Sequence, residues 1–306
     1  MPRSDNLTGA LLMMGSMAAF TFNDAMMKGL SGSLPVFQAM FLRGILTTLM
    51  VALMAWAMGA LAQSLPRADW KPVFWRIVGE VGSAYFFVTA LYHMPIANIS
   101  AIMQALPLTI TLAAALFFRE PLGWRRMVAI LVGFIGVMLI VRPGTEGFNI
   151  YSVYGLAAVA FVTLRDLATR RLSRDVPSML VTLITSASIM VAFGLASLTE
   201  PWVPVDGRAA ALTLGAAVMI IGGYLCSIMV MRVGEISFVA PFRYTSLVWA
   251  LILGWVVFGD WPRTVTLIGA GIVVASGVFT LYREAQVNRR ARAARQRELS
   301  LGPRPR

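Results

Sequence analysis

The chain has 306 residues, of which 58% are hydrophobic and only 13% are charged, and its formal net charge is +12. A soluble protein carries about 25% charged residues, so this composition excludes an ordinary water-soluble domain. Nearly all the apolar residues lie in runs of about 20, the length that crosses a bilayer as an α-helix.

Ten hydrophobic runs connected by short loops are the predicted membrane spans. Their residue ranges are 8–28, 36–61, 72–92, 96–118, 123–141, 151–171, 178–198, 209–231, 236–258 and 264–282. Prolines lie at or near many of the proposed ends, where the missing backbone N–H is tolerated. The sequence therefore predicts an all-α polytopic membrane protein with ten transmembrane helices.

The first span ends in a block that returns in the sixth span. Asp24-Ala-Met-Met-Lys-Gly-Leu-Ser31 is followed 142 residues later by Asp166-Leu-Ala-Thr-Arg-Arg-Leu-Ser173. A second match, Glu120 with Asp260, follows apolar runs at an offset of 140 residues. This repetition supports the sixth span, whose second half is crowded with charged residues, and it predicts two five-helix repeats.

Charge sets the predicted orientation. With the N-terminus in the cytoplasm, 20 of the 26 Lys and Arg residues lie on the cytoplasmic side, four lie outside and two lie within spans. The positive-inside rule favours this arrangement in the bacterial inner membrane, with both termini cytoplasmic. Five spans in each half then make the repeat inverted around a central cavity, as in many secondary transporters.

These boundaries divide the chain into four predicted regions. Residues 1–7 form a cytoplasmic N-terminus, 8–142 the first repeat, 150–283 the second repeat and 284–306 a basic, disordered cytoplasmic tail.

Four charged residues in the spans are predicted to form two ion pairs. A charge near the bilayer centre costs about 2.5–3.5 kcal/mol, so it requires a partner, a wet cavity or a function. Depth along the helices predicts that Asp24 meets Arg43 near the outer face and that Asp166 meets Arg243 near the inner face. Such pairs are candidate gates or ligands for charged parts of a substrate. The alternative is that the aspartates neutralise basic residues at the membrane surface.

Glu80 is the predicted charge nearest the midplane, beside Gly79, Gly82 and Ser83. The depth estimate gives it no Lys or Arg partner in a neighbouring span. An unpaired buried carboxylate tends to hold a proton, which makes Glu80 a candidate for proton coupling or substrate sensing. A neutral glutamate hydrogen-bonded between helices is the alternative.

The fourth and ninth spans are unusually polar, and each contains a proline, Pro107 or Pro241, that permits a kink. Polar residues on repeat-related, kinked helices suggest cavity walls. The remaining candidate substrate-binding residues are aromatic or carry an amide: Tyr85, Gln104, Tyr224, Tyr244 and Trp249. They suit a flat, partly polar organic molecule, although aromatic residues of membrane helices more often pack or anchor at interfaces.

These features resemble the drug/metabolite transporter superfamily, in its EamA-type branch, over about residues 8–283. The resemblance is carried by Phe118-Arg-Glu-Pro121, the glycines Gly133 and Gly136, and Ala240-Pro-Phe-Arg-Tyr244. It implies a carrier of a small organic metabolite that works by alternating access. Bacterial riboflavin carriers and S-adenosylmethionine carriers are the most similar in look, and amino-acid or nucleobase carriers are further alternatives.

Other classes are less compatible with the residues present. One cysteine excludes a disulfide within the chain and a cysteine metal cluster, and a single histidine, His93 at a predicted helix end, does not favour a zinc site or a dyad with Cys226, so we expect no enzyme and no cofactor. No phosphate-binding glycine loop suggests ATP drive, and no filter-like loop suggests a channel. A lipid flippase or scramblase stays open. The expected partners are a small metabolite and membrane lipid, not nucleic acid, and nothing in the sequence indicates an oligomeric state.

Overall fold

A computed structural model describes residues 3–62, 64–120, 122–143, 149–173, 176–233 and 236–300. All regular secondary structure in those ranges is helical. Pro121 of the motif, most of the predicted linker between the repeats, Arg174 and the last six residues of the tail lie outside the described residues.

Twelve α-helices follow one another along the described part of the chain. In the first half they are α1 (Arg3–Gly29), α2 (Val36–Ala57), α3 (Trp70–His93), α4 (Ile96–Met103), α5 (Leu106–Phe118) and α6 (Trp124–Val141). In the second half they are α7 (Ile150–Arg170), α8 (Ser178–Ala196), α9 (Gly207–Val233), α10 (Ile236–Val239), α11 (Thr245–Phe258) and α12 (Thr264–Ser300). Every predicted run lies on helix, and α12 continues through Ser300 into the segment predicted to be a disordered tail.

Eight helical segments of the described residues are long and apolar enough to cross a membrane. They cover every predicted span except the first and third, which correspond to α1 and α3. Asn23 and Asp24 in α1, and Arg76 and Glu80 in α3, lower the mean hydropathy of those two helices. The chain is therefore an all-helical, multi-pass membrane protein, and the count of ten spans stays a prediction.

The two halves interlock through pairs of helices. α1 packs along α9 and α3 packs along α7, while α2 packs on α8, α6 on α12 and α4 on α11. If each helix of one half is exchanged for its counterpart in the other half, the α1–α9 pair becomes the α7–α3 pair. The α2–α8 and α6–α12 pairs map onto themselves, so the packing of these helices follows an approximate two-fold relation.

Two glycine contacts repeat this relation at the level of residues. A Cβ on Gly223 would lie 2.7 Å from Cε1 of Phe20, and a Cβ on Gly82 would clash with the ring of Phe161. The two phenylalanines are 141 residues apart, as are the two glycines, between the motif offsets of 142 and 140. The first helix of each half thus crosses the third helix of the other through one aromatic ring packed on one glycine.

The helix interruptions expected near Pro107 and Pro241 are present. α4 ends at Met103 and α5 begins at Leu106, and a 3₁₀ segment, Ala240–Tyr244, separates α10 from α11. At these breaks Gln104 Nε2 donates a 2.8 Å hydrogen bond to Ser246 Oγ, and the two residues are 142 positions apart. Equivalent positions of the two halves therefore meet where both helices are broken.

Candidate functional site

A cavity of about 80 Å³ lies between α2, α3, α8 and α9, which come from both halves. Its polar lining consists of Arg43, Thr47, Arg76, Glu80, Thr182, Thr185, Ser186 and Tyr224. A water molecule in the liquid occupies about 30 Å³, so only a few waters fit in this space. The cavity is small, is shared by the two halves and combines charged and polar side chains with apolar ones.

One wall of the cavity carries what we call the amide-bridged cluster, Asn23, Asp24 and Arg43. Arg43 Nη1 donates to Asn23 Oδ1 over 3.2 Å, and Asn23 Nδ2 donates to Asp24 Oδ1 over 2.9 Å. The predicted pairing of Asp24 with Arg43 is therefore indirect, because the amide of Asn23 lies between the two charges. Arg43 is only 9% exposed, and the chain of hydrogen bonds lets it remain charged at that depth.

The second set of charges, the ion-pair cluster, consists of Arg76, Glu80, Arg165 and Asp166. Arg165 Nη1 lies 3.3 Å from Glu80 Oε1, and Arg76 Nη2 lies 3.9 Å from Glu80 Oε2. The expectation that Glu80 is unpaired is wrong. α3 and α7 approach so closely at Gly79 that a Cβ there would lie 2.7 Å from the Arg165 backbone nitrogen, which places Arg165 beside Glu80. The prediction of proton coupling through Glu80 assumed an unpaired carboxylate, and these two contacts remove that basis.

The predicted pair between Asp166 and Arg243 is also wrong. Asp166 Oδ1 lies 2.8 Å from Arg165 Nη2 and also accepts from Arg165 Nε at 2.8 Å. Arg243 lies on the 3₁₀ segment with its side chain exposed. Depth alone suggested this pair, but α7 packs along α3, and the neighbouring arginine on the same helix binds the aspartate first.

Of the predicted aromatic residues, Tyr224 lines the cavity. Its ring meets the ring of Phe20 edge-on, with centroids 5.3 Å apart. Tyr85 instead stacks on Phe37 at 5.9 Å and lies near Tyr154 at 6.3 Å. Tyr224 is therefore the aromatic residue that the cavity offers to a ligand.

The other three predicted residues lie away from the cavity. Gln104 is buried at the break between α4 and α5. Tyr244 is buried with its hydroxyl against Gly277 of α12, and Trp249 lies 6.4 Å from Phe22, measured between ring centroids. The structure thus brings Arg43, Glu80 and Tyr224 together at the cavity. Gln104, Tyr244 and Trp249 instead contribute to packing between helices.

Several residues of the site escaped the sequence reasoning. Asn23, Arg76 and Arg165 are not among the predicted site residues, although the two arginines lie within the predicted spans 72–92 and 151–171, which was a usable signal. Thr48 Oγ1 and Ser186 Oγ form a 2.9 Å hydrogen bond between α2 and α8 beside the cavity. Isolated hydroxyls in an apolar run carry no comparable signal, since most of them bond to their own helix.

At each end of the helices around the cavity, a carboxylate forms hydrogen bonds with a loop or helix start of the other half. We call these contacts the tie at Asp69 and the tie at Glu200. Asp69, before α3, accepts from the Ser173 backbone N–H over 2.9 Å and from its hydroxyl over 2.7 Å. Glu200, before α9, accepts from the Phe37 backbone N–H at the start of α2 over 3.1 Å. Each contact joins the segment before the third helix of one half to the connection between the first two helices of the other.

Gln38 strengthens the second of these ties. Its side chain donates to the Val203 carbonyl over 2.7 Å and accepts from the Val203 N–H over 3.0 Å. α2 runs antiparallel to α8, as the contacts of Gly44 with Met190 and of Phe41 with Gly194 require. The tie at Asp69 and the tie at Glu200 therefore lie at opposite ends of the helices that enclose the cavity.

Comparison with known proteins adds a family and several relatives. The model of the EamA-like transporter family matches residues 7–142 and again residues 149–282. A solved crystal structure with 22% identity superposes with a TM-score of 0.62, covering 89% of this chain and 96% of that one, which supports the fold.

Among the similar sequences, a riboflavin transporter of Vibrio cholerae is 32% identical over 214 residues, 69% of this chain and 71% of the relative. An S-adenosylmethionine uptake transporter of Rickettsia felis is 27% identical over 283 residues, 91% and 94% of the two chains. The pseudopaline exporter CntI of Pseudomonas aeruginosa is 26% identical over 271 residues, 87% and 93% of the two chains. All three are named for transport and not for an enzymatic reaction.

Proposed function

The chain belongs to the EamA-like transporter family and is a membrane transporter, and from that premise we propose that it is a secondary carrier that moves a small organic metabolite by alternating access. The cavity between helices of both halves, with the charged side chains of Arg43, Arg76 and Glu80 in its lining, carries this proposal. Rocking of one half against the other would enlarge such a cavity toward one side and then toward the other.

The proposed topology is ten spans in two inverted repeats, over residues 8–142 and 150–283, in the inner membrane with both termini cytoplasmic. The two-fold relation among the helix pairs supports it, since each half contributes five helical segments in the same order. An odd number of spans in each half gives opposite orientations, and the distribution of Lys and Arg favours a cytoplasmic N-terminus.

We assign substrate contact to Arg43, Glu80 and Tyr224, which line the cavity. Asp24 orients the cavity residue Arg43 through the amide of Asn23. Asp166 orients Arg165, which contacts the cavity residue Glu80. In this scheme the tie at Glu200 closes the outer side and the tie at Asp69 closes the inner side, and transport requires them to open in turn.

Riboflavin is the proposed substrate. The Tyr224 and Phe20 rings offer a surface on which a flat heteroaromatic ring can stack, and a relative with 32% identity is named a riboflavin transporter. S-adenosylmethionine is the second candidate, because Arg43 and Glu80 present opposite charges to the carboxylate and ammonium groups of an amino-acid end. A lipid flippase is not favoured, since the relatives are named for the transport of riboflavin, S-adenosylmethionine and pseudopaline.

The test is a thermal-shift panel of metabolites on the purified protein, followed by uptake of each hit into proteoliposomes with and without a pH gradient. Saturable riboflavin uptake that is lost in Tyr224→Ala and retained in Tyr282→Ala supports the proposal. Tyr282 is an exposed tyrosine of α12, far in the chain from the cavity residues, and serves as the matched control. Lipid exchange without solute uptake would refute the carrier and support a flippase.

A further inference from the structure

A groove on the surface of the bundle, separate from the central cavity, runs between α3, α5, α6 and α7. It consists of two adjoining hollows of about 520 Å³ and 460 Å³. Both hollows are lined by Ala113, Phe117, Ala160 and Thr163, so they form one continuous channel along α5 and α7. Its volume exceeds that of the central cavity several times.

The end of the groove nearest the start of α3 is cationic. Lys71 and Arg171 line it together with Trp75, and the Arg171 guanidinium lies 5.3 Å from the centre of the Phe118 ring. Arg171 contacts an aromatic ring and Lys71 is exposed, and neither feature neutralises the positive charge.

The carboxylates nearest in the chain are already bound elsewhere. Asp69 accepts both hydrogen bonds of Ser173, and Glu120 pairs with Arg170 at 3.2 Å. Within the residues that the structure describes, neither rim cation has a carboxylate within the 4.0 Å that defines an ion pair. The rim therefore presents two positive charges that an anionic group can approach.

The rest of the groove is apolar and faces the bilayer. Its apolar walls belong to three helical segments that qualify as membrane spans, Ile96–Phe118, Trp124–Val141 and Ile150–Arg170. Leu116 and Phe117 on those walls are 69% and 68% exposed, and small residues at Ala113 and Ala160 leave the channel open. A long apolar chain at hydrocarbon depth fits this surface, because water does not compete for it.

From this arrangement we infer that the groove binds an anionic glycerophospholipid. The phosphate lies between Lys71 and Arg171, Trp75 lies at headgroup level, and one acyl chain follows α5 and α7 past Ala113 and Ala160. In the proposed orientation the rim faces the cytoplasmic leaflet, where acidic lipids attract Lys and Arg. The bound lipid would brace α3 and α7, the two helices that carry the ion-pair cluster.

Native mass spectrometry of the detergent-purified full chain tests the site. The protein is titrated with phosphatidylglycerol and, separately, with phosphatidylcholine of the same acyl chains. We expect wild type to retain phosphatidylglycerol preferentially and Lys71→Ala/Arg171→Ala to bind it about tenfold more weakly. The control Arg67→Ala/Arg125→Ala removes two exposed cations that do not line the groove, and its affinity should equal that of wild type.

Two further arms identify the ligand. Ala160→Phe, which fills the channel without changing charge, should weaken phosphatidylglycerol binding, and glycerol phosphate in excess should not displace the lipid. Equal losses in both double variants would overturn the proposal by reducing it to general surface attraction. Displacement by glycerol phosphate, or equal binding of both lipids, would also overturn it.

Discussion

The amide-bridged cluster and the ion-pair cluster flank one cavity, yet they hold their charges in different ways. In the first, Arg43 reaches Asp24 only through the amide of Asn23. In the second, Glu80 and Asp166 both contact Arg165 directly, and Arg76 adds a third cation-to-carboxylate contact. The first cluster therefore depends on one chain of hydrogen bonds, while in the second Glu80 and Arg165 each have two charged partners.

The two clusters hold their charges differently, but the packing of the helices that carry them is alike in the two halves. The same ring-on-glycine contact, Phe20 on Gly223 and Phe161 on Gly82, occurs in both halves. Repetition thus accounts for the scaffold, whereas the charges differ between the halves. In the proposed function, the repeated scaffold would provide the motion and the charges that differ between the halves would provide selectivity.

The largest expected effect is that of Arg43→Ala. Truncating one side of a buried, charged hydrogen bond costs about 2–5 kcal/mol, so we expect initial uptake to fall by about 100-fold. Uptake into proteoliposomes at equal protein incorporation measures this. Arg43→Lys, which keeps the charge but not the fork-shaped donor, should recover part of the rate. Uptake within twofold of wild type in Arg43→Ala would contradict the role of this cluster.

Glu80→Gln should have a smaller effect, because Arg165 keeps Asp166 and Arg76 keeps its bond to Thr169. We expect uptake to fall by about tenfold, equivalent to about 1.4 kcal/mol. The response to a pH gradient, if wild type has one, should persist in the variant, because Glu80 is paired. Loss of that response with the rate otherwise retained would restore Glu80 as a proton site.

The packing half of the comparison predicts similar damage in both repeats. Gly82→Ala and Gly223→Ala should each lower stability by about 1–3 kcal/mol through overpacking, with the larger loss at Gly82. Melting temperatures of the purified variants measure this. Phe161→Leu should rescue Gly82→Ala but not Gly223→Ala, and rescue of both would show that the contact is not local.

The smallest expected effect is that of Ser186→Ala, which removes the hydrogen bond with Thr48. A net loss of about 1 kcal/mol is expected for one such bond, with a slight fall in melting temperature and little change in uptake. Thr182→Ala is the matched control, since its hydroxyl bonds only within its own helix, to the Ser178 carbonyl.

The sequence predicted the helices far better than the contacts between them. The hydrophobicity of runs such as Val36–Ala57 and Trp124–Val141 predicts helices there, and Pro107 and Pro241 lie at or near the observed interruptions. The membership of the EamA-type branch is confirmed.

Partners of buried charges were mostly mispredicted, for a physical reason. Depth along a helix axis states neither the face on which a side chain lies nor which helix packs against that face. Arg165 reaches Glu80 because Gly79 lets α3 and α7 approach closely. The same arginine pairs with Asp166, which had been predicted to pair with Arg243. The ties at Asp69 and Glu200 are likewise tertiary contacts between loops and helix ends, which the composition of a loop does not reveal.

The central claim, that a transported metabolite occupies the cavity at Arg43, Glu80 and Tyr224, is tested most directly by protection of a single cysteine. Cys226 is the chain's one cysteine, so Cys226→Ala gives a cysteine-free background. In that background Thr47→Cys marks the cavity wall and Ser31→Cys, in an exposed loop, is the control.

Riboflavin, or whichever metabolite is taken up, should protect Thr47→Cys from a hydrophilic maleimide and leave Ser31→Cys reactive. The concentration for half protection should match that for half-maximal uptake. Saturable uptake of a metabolite that gives no protection of Thr47→Cys would contradict the account and place the substrate elsewhere in the molecule.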